Sequence, residues 1–216
     1  MHRTRISWGC RIGLPALLLA PPATAQAAAR LPVTGVTALF ITHLHSDHML
    51  GLADLIFTSW VVGRSRPFPA CDPSGLQRMT EHLYAAFAGD IRVRTQGLER
   101  ESAAGYRIAV HEIGPGVVYD SGGAKVTAFL VPHGEWPQAS GYRFDTPARS
   151  IVLSGDTRPS EELVRMASGV DVLVHEVQPS DSTAPPGRRA PREQILADIR
   201  RGWAGPVVLA EDLQRF

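Results

Sequence analysis

Apolar residues along the chain follow two spacings, one typical of strands and one typical of helices. Residues 36–42 are rich in β-branched and aromatic side chains and predict a buried strand. Over residues 47–59 the apolar positions recur at helical spacing, which predicts a helix shortly after that strand. Residues 60–69 predict a loop, and the Asp-Pro pair that opens residues 72–87 predicts the start of a second helix.

The second half of the chain alternates in a similar way. Residues 105–131 contain three strand-like stretches separated by glycine-containing turns, which predicts a meander of antiparallel strands. The further predicted elements are strands over residues 142–144, 150–153, 170–174 and 207–209, and helices over residues 159–167 and 193–201. This order of strands and helices predicts a mixed α/β (α+β) domain.

A cluster of metal-competent side chains follows the first predicted strand. Residues 43–48 read His-Leu-His-Ser-Asp-His, and imidazole with carboxylate suits zinc, iron or manganese. His43 and His45 alternate, so both can lean to one side of an extended segment. Asp47 and His48 come after the turn and can face a second metal. The cluster therefore predicts a metal site, and the alternative is a polar loop in which three histidines and an aspartate fell together.

Three further segments place polar side chains where a predicted strand ends. They read Val-Pro-His-Gly at 131–134, Ser-Gly-Asp-Thr at 154–157 and Leu-Val-His-Glu at 173–176. Together with Phe-Ile-Thr-His-Leu-His-Ser-Asp-His at 40–48, these motifs resemble the metallo-β-lactamase fold superfamily, in particular its ribonuclease Z and arylsulfatase-like branch. The resemblance implies an αββα four-layer sandwich. We expect that sandwich to be incomplete, because the strands that precede the histidine motif in the family have no counterpart here.

The resemblance also implies the ligands of two metals. The expected ligands are His43, His45 and His133 for the first metal, Asp47 and His48 for the second, and Asp156 as the bridge between them. Asp47 is also expected to accept the proton of the nucleophile. His175 and Glu176 are expected to lie beside the ligands, in a supporting or proton-transfer role, with an ordinary strand-end pair as the alternative. The family's last histidine has no counterpart after His175, which leaves the second site one ligand short.

The expected cofactor is one or two Zn²⁺ ions, with Mn²⁺ or Fe as alternatives. Two divalent ions about 4 Å apart activate a water molecule and stabilise charge at the attacked centre. The resemblance thus implies a hydrolase of phosphodiester bonds or of related bonds in aryl sulfates and small esters. The alternative is a truncated relative that binds metal and has little turnover. Ser154 is not expected to be a nucleophile, because no histidine neighbours it in the sequence.

The first 27 residues have the composition of a secretory signal peptide. Arginines at positions 3, 5 and 11 precede an apolar stretch over residues 12–20, and small residues around Ala25 and Ala27 offer cleavage sites. The apolar stretch is too short to span a bilayer, so no transmembrane segment is expected. These features predict an exported protein whose domain occupies residues 28–216.

Loss of the leader would change the charge of the chain. Lys+Arg would fall from 22 to 19 against 21 Asp+Glu, a net charge of −2. That charge, with no basic arm, disfavours tRNA as the native partner and favours a small-molecule ester or phosphodiester. Cys71 would be the only remaining cysteine, so no intrachain disulfide could form. The missing strands would leave apolar area uncovered, which predicts a homo-oligomer.

Overall fold

The computed structural model describes residues 33–176 and 191–210, and the predicted leader lies outside these ranges. Within them the chain forms eight strands and five α-helices. The strands are β1 (Leu39–Phe40), β2 (Phe68–Asp72), β3 (Ile108–Glu112), β4 (Gly116–Ser121), β5 (Ala124–Val131), β6 (Ala139–Asp145), β7 (Ser150–Leu153) and β8 (Val172–Val174). The helices are α1 (Ser46–Val61), α2 (Leu76–Ala86), α3 (Ala88–Gln96), α4 (Glu161–Ala167) and α5 (Arg192–Arg200).

The first sheet is parallel and small. Its strand order is β1-β2-β3, with Leu39 opposite Ala70 and Phe68 opposite Ile108. Because the strands are parallel, their carboxyl ends meet at one edge, where the chain leaves β1 for the histidine cluster.

The second sheet has the order β4-β5-β6-β7-β8. Strands β4 to β7 are antiparallel neighbours, whereas β8 runs parallel to β7 after the crossover through α4. Gly122 and Gly123, both with positive φ, form the turn between β4 and β5. The carboxyl ends of β5 and β7 lead to His133 and Asp156, so this sheet supplies the other two of the six ligand candidates.

Three apolar clusters define the layers of the domain. The first joins α1 and α2 to the outer face of the parallel sheet, and its largest member is the fully buried Trp60. The second lies between the two sheets around Phe40 and Tyr142. The third packs α4 onto the other face of the second sheet through Leu163 and Met166. The layer order is therefore helix, sheet, sheet, helix, which confirms the expected α/β class and αββα sandwich.

The prediction of a loop over residues 60–69 is wrong at its end, since β2 begins at Phe68. The prolines on both sides of Phe68 are typical of a loop, so the sequence pattern does not indicate this strand. Pro69 is tolerated in the middle strand because β1 pairs only with Ala70 and Cys71, so Pro69 lies beyond the end of β1. The predicted strand over 36–42 is likewise reduced to the two residues of β1.

The predicted meander over residues 105–131 is also partly wrong. Only β4 and β5 form the antiparallel hairpin, whereas β3 pairs in parallel with β2 in the other sheet. Sequence proximity favours a hairpin, but the glycine- and proline-containing turn at 114–116 carries the chain from one sheet to the other. Residues 207–209, predicted as a strand, have no strand partner within the described part of the chain.

The second helix begins later than its Asp-Pro signal predicts. Helix α2 starts at Leu76, and Asp72 is the last residue of β2. The side chain of Asp72 still caps the helix, because its Oδ2 accepts a hydrogen bond from the Leu76 N–H at 3.1 Å. Gly75 makes the turn between the two with φ of 121°, a conformation that favours glycine. Among the described residues, none of the helices has the length and apolar character needed to cross a membrane.

Candidate metal centre

The ligand candidates lie at strand ends on the side where the two sheets meet. His43 and His45 occupy the loop between β1 and α1, and His48 lies in the first turn of α1. His133 follows β5, and Asp156 follows β7. The loop is fixed on the second sheet by the backbone, since the Ser140 N–H donates to the Thr42 carbonyl at 2.8 Å. One end of the sandwich thus collects side chains that lie far apart in the sequence.

Three imidazoles converge to form the first group, made of His43, His45 and His133. The Nδ1 atom of His45 lies 3.0 Å from the Nε2 atom of His43 and 3.0 Å from the Nε2 atom of His133. Three nitrogens bound tetrahedrally to zinc at its usual bond length would be about 3.3 Å apart. A nitrogen triangle of this size fits one zinc ion with a fourth position left for water or substrate.

The second group shares a histidine with the first. It consists of His43, His48 and Asp156, and the Nε2 atom of His48 lies 3.3 Å from Oδ2 of Asp156. Two nitrogens and one carboxylate oxygen are a donor set that zinc, manganese and iron accept. The two groups are adjacent and share His43, whose Nε2 atom can bind one metal at a time.

Asp47 lies beside these groups but outside both of them. Its Oδ2 atom is 3.6 Å from Nε2 of His48, and its side chain is 78% exposed. The carboxylate is therefore the member of the sequence cluster that is most open to solvent and to an incoming substrate. The role of Asp47 as a ligand of the second metal, and that of Asp156 as a bridge, stay predictions.

His43 is held in the form that binds metal. The residue is 0% exposed, and burial, with the neighbouring His48 adding to it, lowers the pKa of His43 to about 4. At neutral pH the ring is therefore uncharged and carries a free lone pair. Its Nδ1 atom lies 3.1 Å from the Thr42 hydroxyl, so Nε2 is the nitrogen that faces the group.

Asp156 is buried beside a second carboxyl group. Burial alone would raise its pKa, but a hydrogen bond with Glu176 and the nearby imidazoles of His48 and His43 lower the pKa of Asp156 overall. A hydrogen bond between two carboxyl groups requires a proton on one of them. The lowered pKa of Asp156 keeps its carboxylate ionised at neutral pH, which is the form that binds a cation.

His175 contacts Ser154. This contact was not expected, because no histidine neighbours this serine in the sequence. The His175 Nδ1 atom lies 2.8 Å from the Ser154 Oγ atom. Ser154 is nevertheless 1% exposed, and its hydroxyl donates to the Gly155 carbonyl at 2.6 Å. A buried hydroxyl that is already engaged is not placed to attack a substrate, so the expectation that Ser154 is no nucleophile agrees with this geometry.

One aromatic side chain at the centre was not identified from the sequence. The Trp136 ring centroid lies 4.2 Å from that of His45 and 6.0 Å from that of His43. The available signal was its position three residues after His133, on the loop that leads away from a ligand. That position alone does not distinguish a residue at the site from an ordinary loop residue.

Proteins of known sequence resemble this chain over about 70% of its length. A ribonuclease Z of Mycobacterium bovis (strain BCG / Pasteur 1173P2) is 34% identical over 154 residues, which are 70% of this chain and 55% of that protein. A ribonuclease Z of Mycobacterium sp. (strain KMS) is 35% identical over 152 residues, or 69% of this chain and 53% of that protein. The chain thus spans about half the length of the curated relatives it matches.

Solved structures share the fold. The short form of human tRNase Z superposes with a TM-score of 0.56 at 22% identity, covering 74% of this chain and 64% of that one. A metallo-β-lactamase fold protein of Bacillus subtilis superposes with a TM-score of 0.50 at 13% identity, covering 73% of this chain and 57% of that one.

The sequence-based argument against tRNA is contradicted by these relatives. They are named ribonuclease Z, and the human neighbour is named tRNase Z. The expectation was based on the net charge of −2 summed over residues 28–216. Phosphates are bound by local groups, however, and cations held by the histidine and aspartate groups would supply positive charge that the formal count omits.

The fold, the order of the ligand motifs and these relatives agree with one family. The model of the Beta-lactamase superfamily domain matches residues 7–200. The chain is therefore a member of the β-lactamase superfamily, whose fold it shows in its two sheets and flanking helices.

Proposed function

We propose that this chain is a metal-dependent phosphodiesterase of the ribonuclease Z type and that RNA of the tRNA class is its substrate. The observation that carries the proposal is the convergence of His43, His45 and His133 with nitrogen separations of 3.0 Å. The second group through His48 and Asp156 adds a carboxylate, as two-metal phosphodiester chemistry needs. The names of the curated relatives support the choice of RNA.

We propose zinc as the metal, because three neutral imidazoles suit its tetrahedral geometry, with manganese or iron as the alternatives. Metal ions in the two groups would lower the pKa of water and stabilise the charge that develops on the attacked phosphoryl group. The chain's own part is to hold these donors at fixed separations on strand ends. Burial keeps His43 neutral, and the ionised Asp156 offsets part of the charge of the cations.

Two carboxyl groups are placed to handle protons. Asp47 is exposed beside His48 and is the candidate to accept the proton of the attacking water. Glu176 forms a hydrogen bond with Asp156 and is the candidate to return a proton toward the leaving oxygen. His175 lies next to it in the sequence and is fixed by Ser154.

The test uses purified protein loaded with zinc or manganese. Hydrolysis of bis(p-nitrophenyl) phosphate and cleavage of a tRNA precursor with a 3′ extension are measured side by side, and p-nitrophenyl sulfate tests the aryl sulfate class. We expect turnover of both phosphodiesters in the wild type and none in His45→Ala. His82→Ala, which changes an exposed histidine of α2, is the matched control and should keep full activity.

The outcomes separate this proposal from its alternative. A protein that retains zinc but hydrolyses neither phosphodiester would be the metal-binding relative without significant turnover. Hydrolysis of the sulfate ester alone would indicate that the substrate is an aryl sulfate and not a phosphodiester. A protein that retains no metal would contradict the assignment of the histidine groups themselves.

A further inference from the structure

The loop after His133 folds back onto the metal centre. The Trp136 N–H donates to the His133 carbonyl at 3.0 Å, which closes a turn over residues 133–136. Gly134 allows this turn with φ of 55°, in the left-handed region. The turn holds the indole of Trp136 beside the imidazoles instead of letting it extend into solvent.

The indole contacts the ligands but is not enclosed by them. Its ring meets that of His45 at an interplanar angle of 66°, so the contact uses only part of the indole surface. The Trp136 side chain is half-buried. Within the described residues its Nε1–H makes no hydrogen bond and is not a buried atom, in contrast to the core residue Trp60, whose Nε1–H donates to the Ser102 carbonyl at 2.8 Å.

We propose that Trp136 is a substrate-contact residue on which a nucleobase next to the scissile phosphate stacks. The inference rests on the proposed phosphodiesterase function and adds that the protein recognises a base of its substrate. A phosphate at the His45 and His133 end of the centre would place its attached nucleoside one sugar ring away, which is within reach of the indole. Aromatic side chains stack on every base because each base has a π-face.

The competing interpretation is that Trp136 only packs against His45 and keeps that ring in place. The two interpretations predict different effects of removing the indole. A packing residue affects the metal and every substrate equally. A stacking residue affects only substrates that carry a base.

The test compares two substrates with the same leaving group. Uridine 5′-(p-nitrophenyl phosphate) carries a base, and ribose 5-(p-nitrophenyl phosphate) lacks it. In the zinc-loaded protein we expect Trp136→Ala to lower kcat/KM roughly 10- to 100-fold for the uridine ester, mainly through KM, and to leave the ribose ester unchanged. Trp136→Phe should restore most of the preference, because a phenyl ring still stacks.

Trp203→Ala is the matched control. Trp203 is a 56% exposed tryptophan near the carboxyl end of the described residues, and its replacement should leave the base preference and the zinc content unchanged. Zinc per chain, measured by mass spectrometry, should also be unchanged in Trp136→Ala. Loss of zinc, or an equal loss of activity on both esters, would overturn the stacking role in favour of packing.

Binding separates a failure of stacking from a failure of the proposed function. If the wild type hydrolyses neither ester, the phosphodiesterase proposal fails, and stacking is then decided by calorimetric titration of the zinc-loaded protein. We expect tighter binding of uridine 5′-monophosphate than of ribose 5-phosphate, and no such difference in Trp136→Ala. A wild type that binds both phosphates equally would overturn the inference.

Discussion

Ser154 Oγ and His175 Nδ1 lie 2.8 Å apart, at the ends of two neighbouring parallel strands. Leu153 of β7 is opposite Val174 of β8, so the residues that follow both strands must meet. The Ser154 hydroxyl gives its only hydrogen to the Gly155 carbonyl, and His175 must therefore donate its Nδ1–H to Oγ. Burial lowers the pKa of His175, which favours the neutral ring with a lone pair on Nε2.

Ser154→Ala should remove the acceptor of this hydrogen bond. We expect the free energy of unfolding to fall by about 1 kcal/mol, the usual worth of such a bond, as measured by urea unfolding. Zinc content should be unchanged, because neither residue belongs to the two ligand groups. Ser168→Ala, at an exposed serine after α4, is the control and should have no measurable effect. Loss of zinc from Ser154→Ala would contradict this account.

Because both ligand groups contain His43, we expect the two metals to be held unequally. After dialysis we expect nearer one than two zinc ions per wild-type chain, because the second group has three donors and His43 among them also belongs to the first group. His45→Ala should lose the tightly held metal, whereas Asp156→Asn should keep it, since its three imidazoles remain. His43→Ala should lose the tightly held metal, because only two imidazoles of the first group remain.

Metal content per chain is measured by mass spectrometry, with His82→Ala as the control.

Asp47→Ala should keep the first metal and lose turnover, because this carboxylate lies outside both groups and is exposed to substrate. Two tightly held metals in the wild type would show that another residue completes the second site. Retention of zinc by His43→Ala would contradict the shared geometry.

We also propose that residues 1–27 are removed on export, a proposal that the described residues do not test. Cleavage near Ala25 or Ala27 would give a mature chain that begins between Gln26 and Arg30. The family model match begins at residue 7, inside this segment. Amino-terminal sequencing of protein recovered from the periplasm or medium shows whether the segment has been removed. An intact Met1 on the soluble protein would reject export.

Apart from Asp47, the ligand candidates expected from the motifs lie close together in the structure, because the loops that carry them follow strand ends. His43 and His133 are 90 positions apart, yet the strands before them end at the same end of the sandwich. Their role as metal ligands stays a prediction. The separation into two groups that share His43 was not predictable, because it depends on side-chain directions around α1.

Sheet membership could not be predicted from the hydrophobic pattern. Strand β3 contains β-branched residues, as β4 and β5 do, but its partner β2 comes earlier in the chain and contains Pro69. The contacts of Trp136 and Ser154 were missed for a similar reason. Both contacts arise from the register of strands and from one turn, and neither leaves a periodic signal in the sequence.

The last prediction concerns Asp72, a buried carboxyl group away from the ligand groups. Its side chain is 0% exposed, and its Oδ1 atom has no hydrogen-bond partner among the described residues. Burial raises the pKa of Asp72 to about 8, with the nearby Glu112 adding to the shift and the Leu76 N–H opposing it. The group is therefore protonated in the folded protein at neutral pH.

This pKa makes Asp72 a source of pH-dependent instability. The folded pKa of about 8 lies above the ordinary value of 3.8, so between these values the folded protein holds a proton that the unfolded chain releases. The contribution of Asp72 to stability is greatest below the ordinary value and is lost as the pH rises to about 8.

Asp72→Asn cannot ionise and should stabilise the protein at pH 8 by on the order of 3 kcal/mol, and by clearly less at pH 5. Urea unfolding at both values, with metal chelated and each variant compared with the wild type, measures the difference. Asp120→Asn, at an exposed aspartate of β4, should show no such pH dependence. An equal effect of Asp72→Asn at pH 5 and pH 8 would mean that Asp72 is not protonated in the fold.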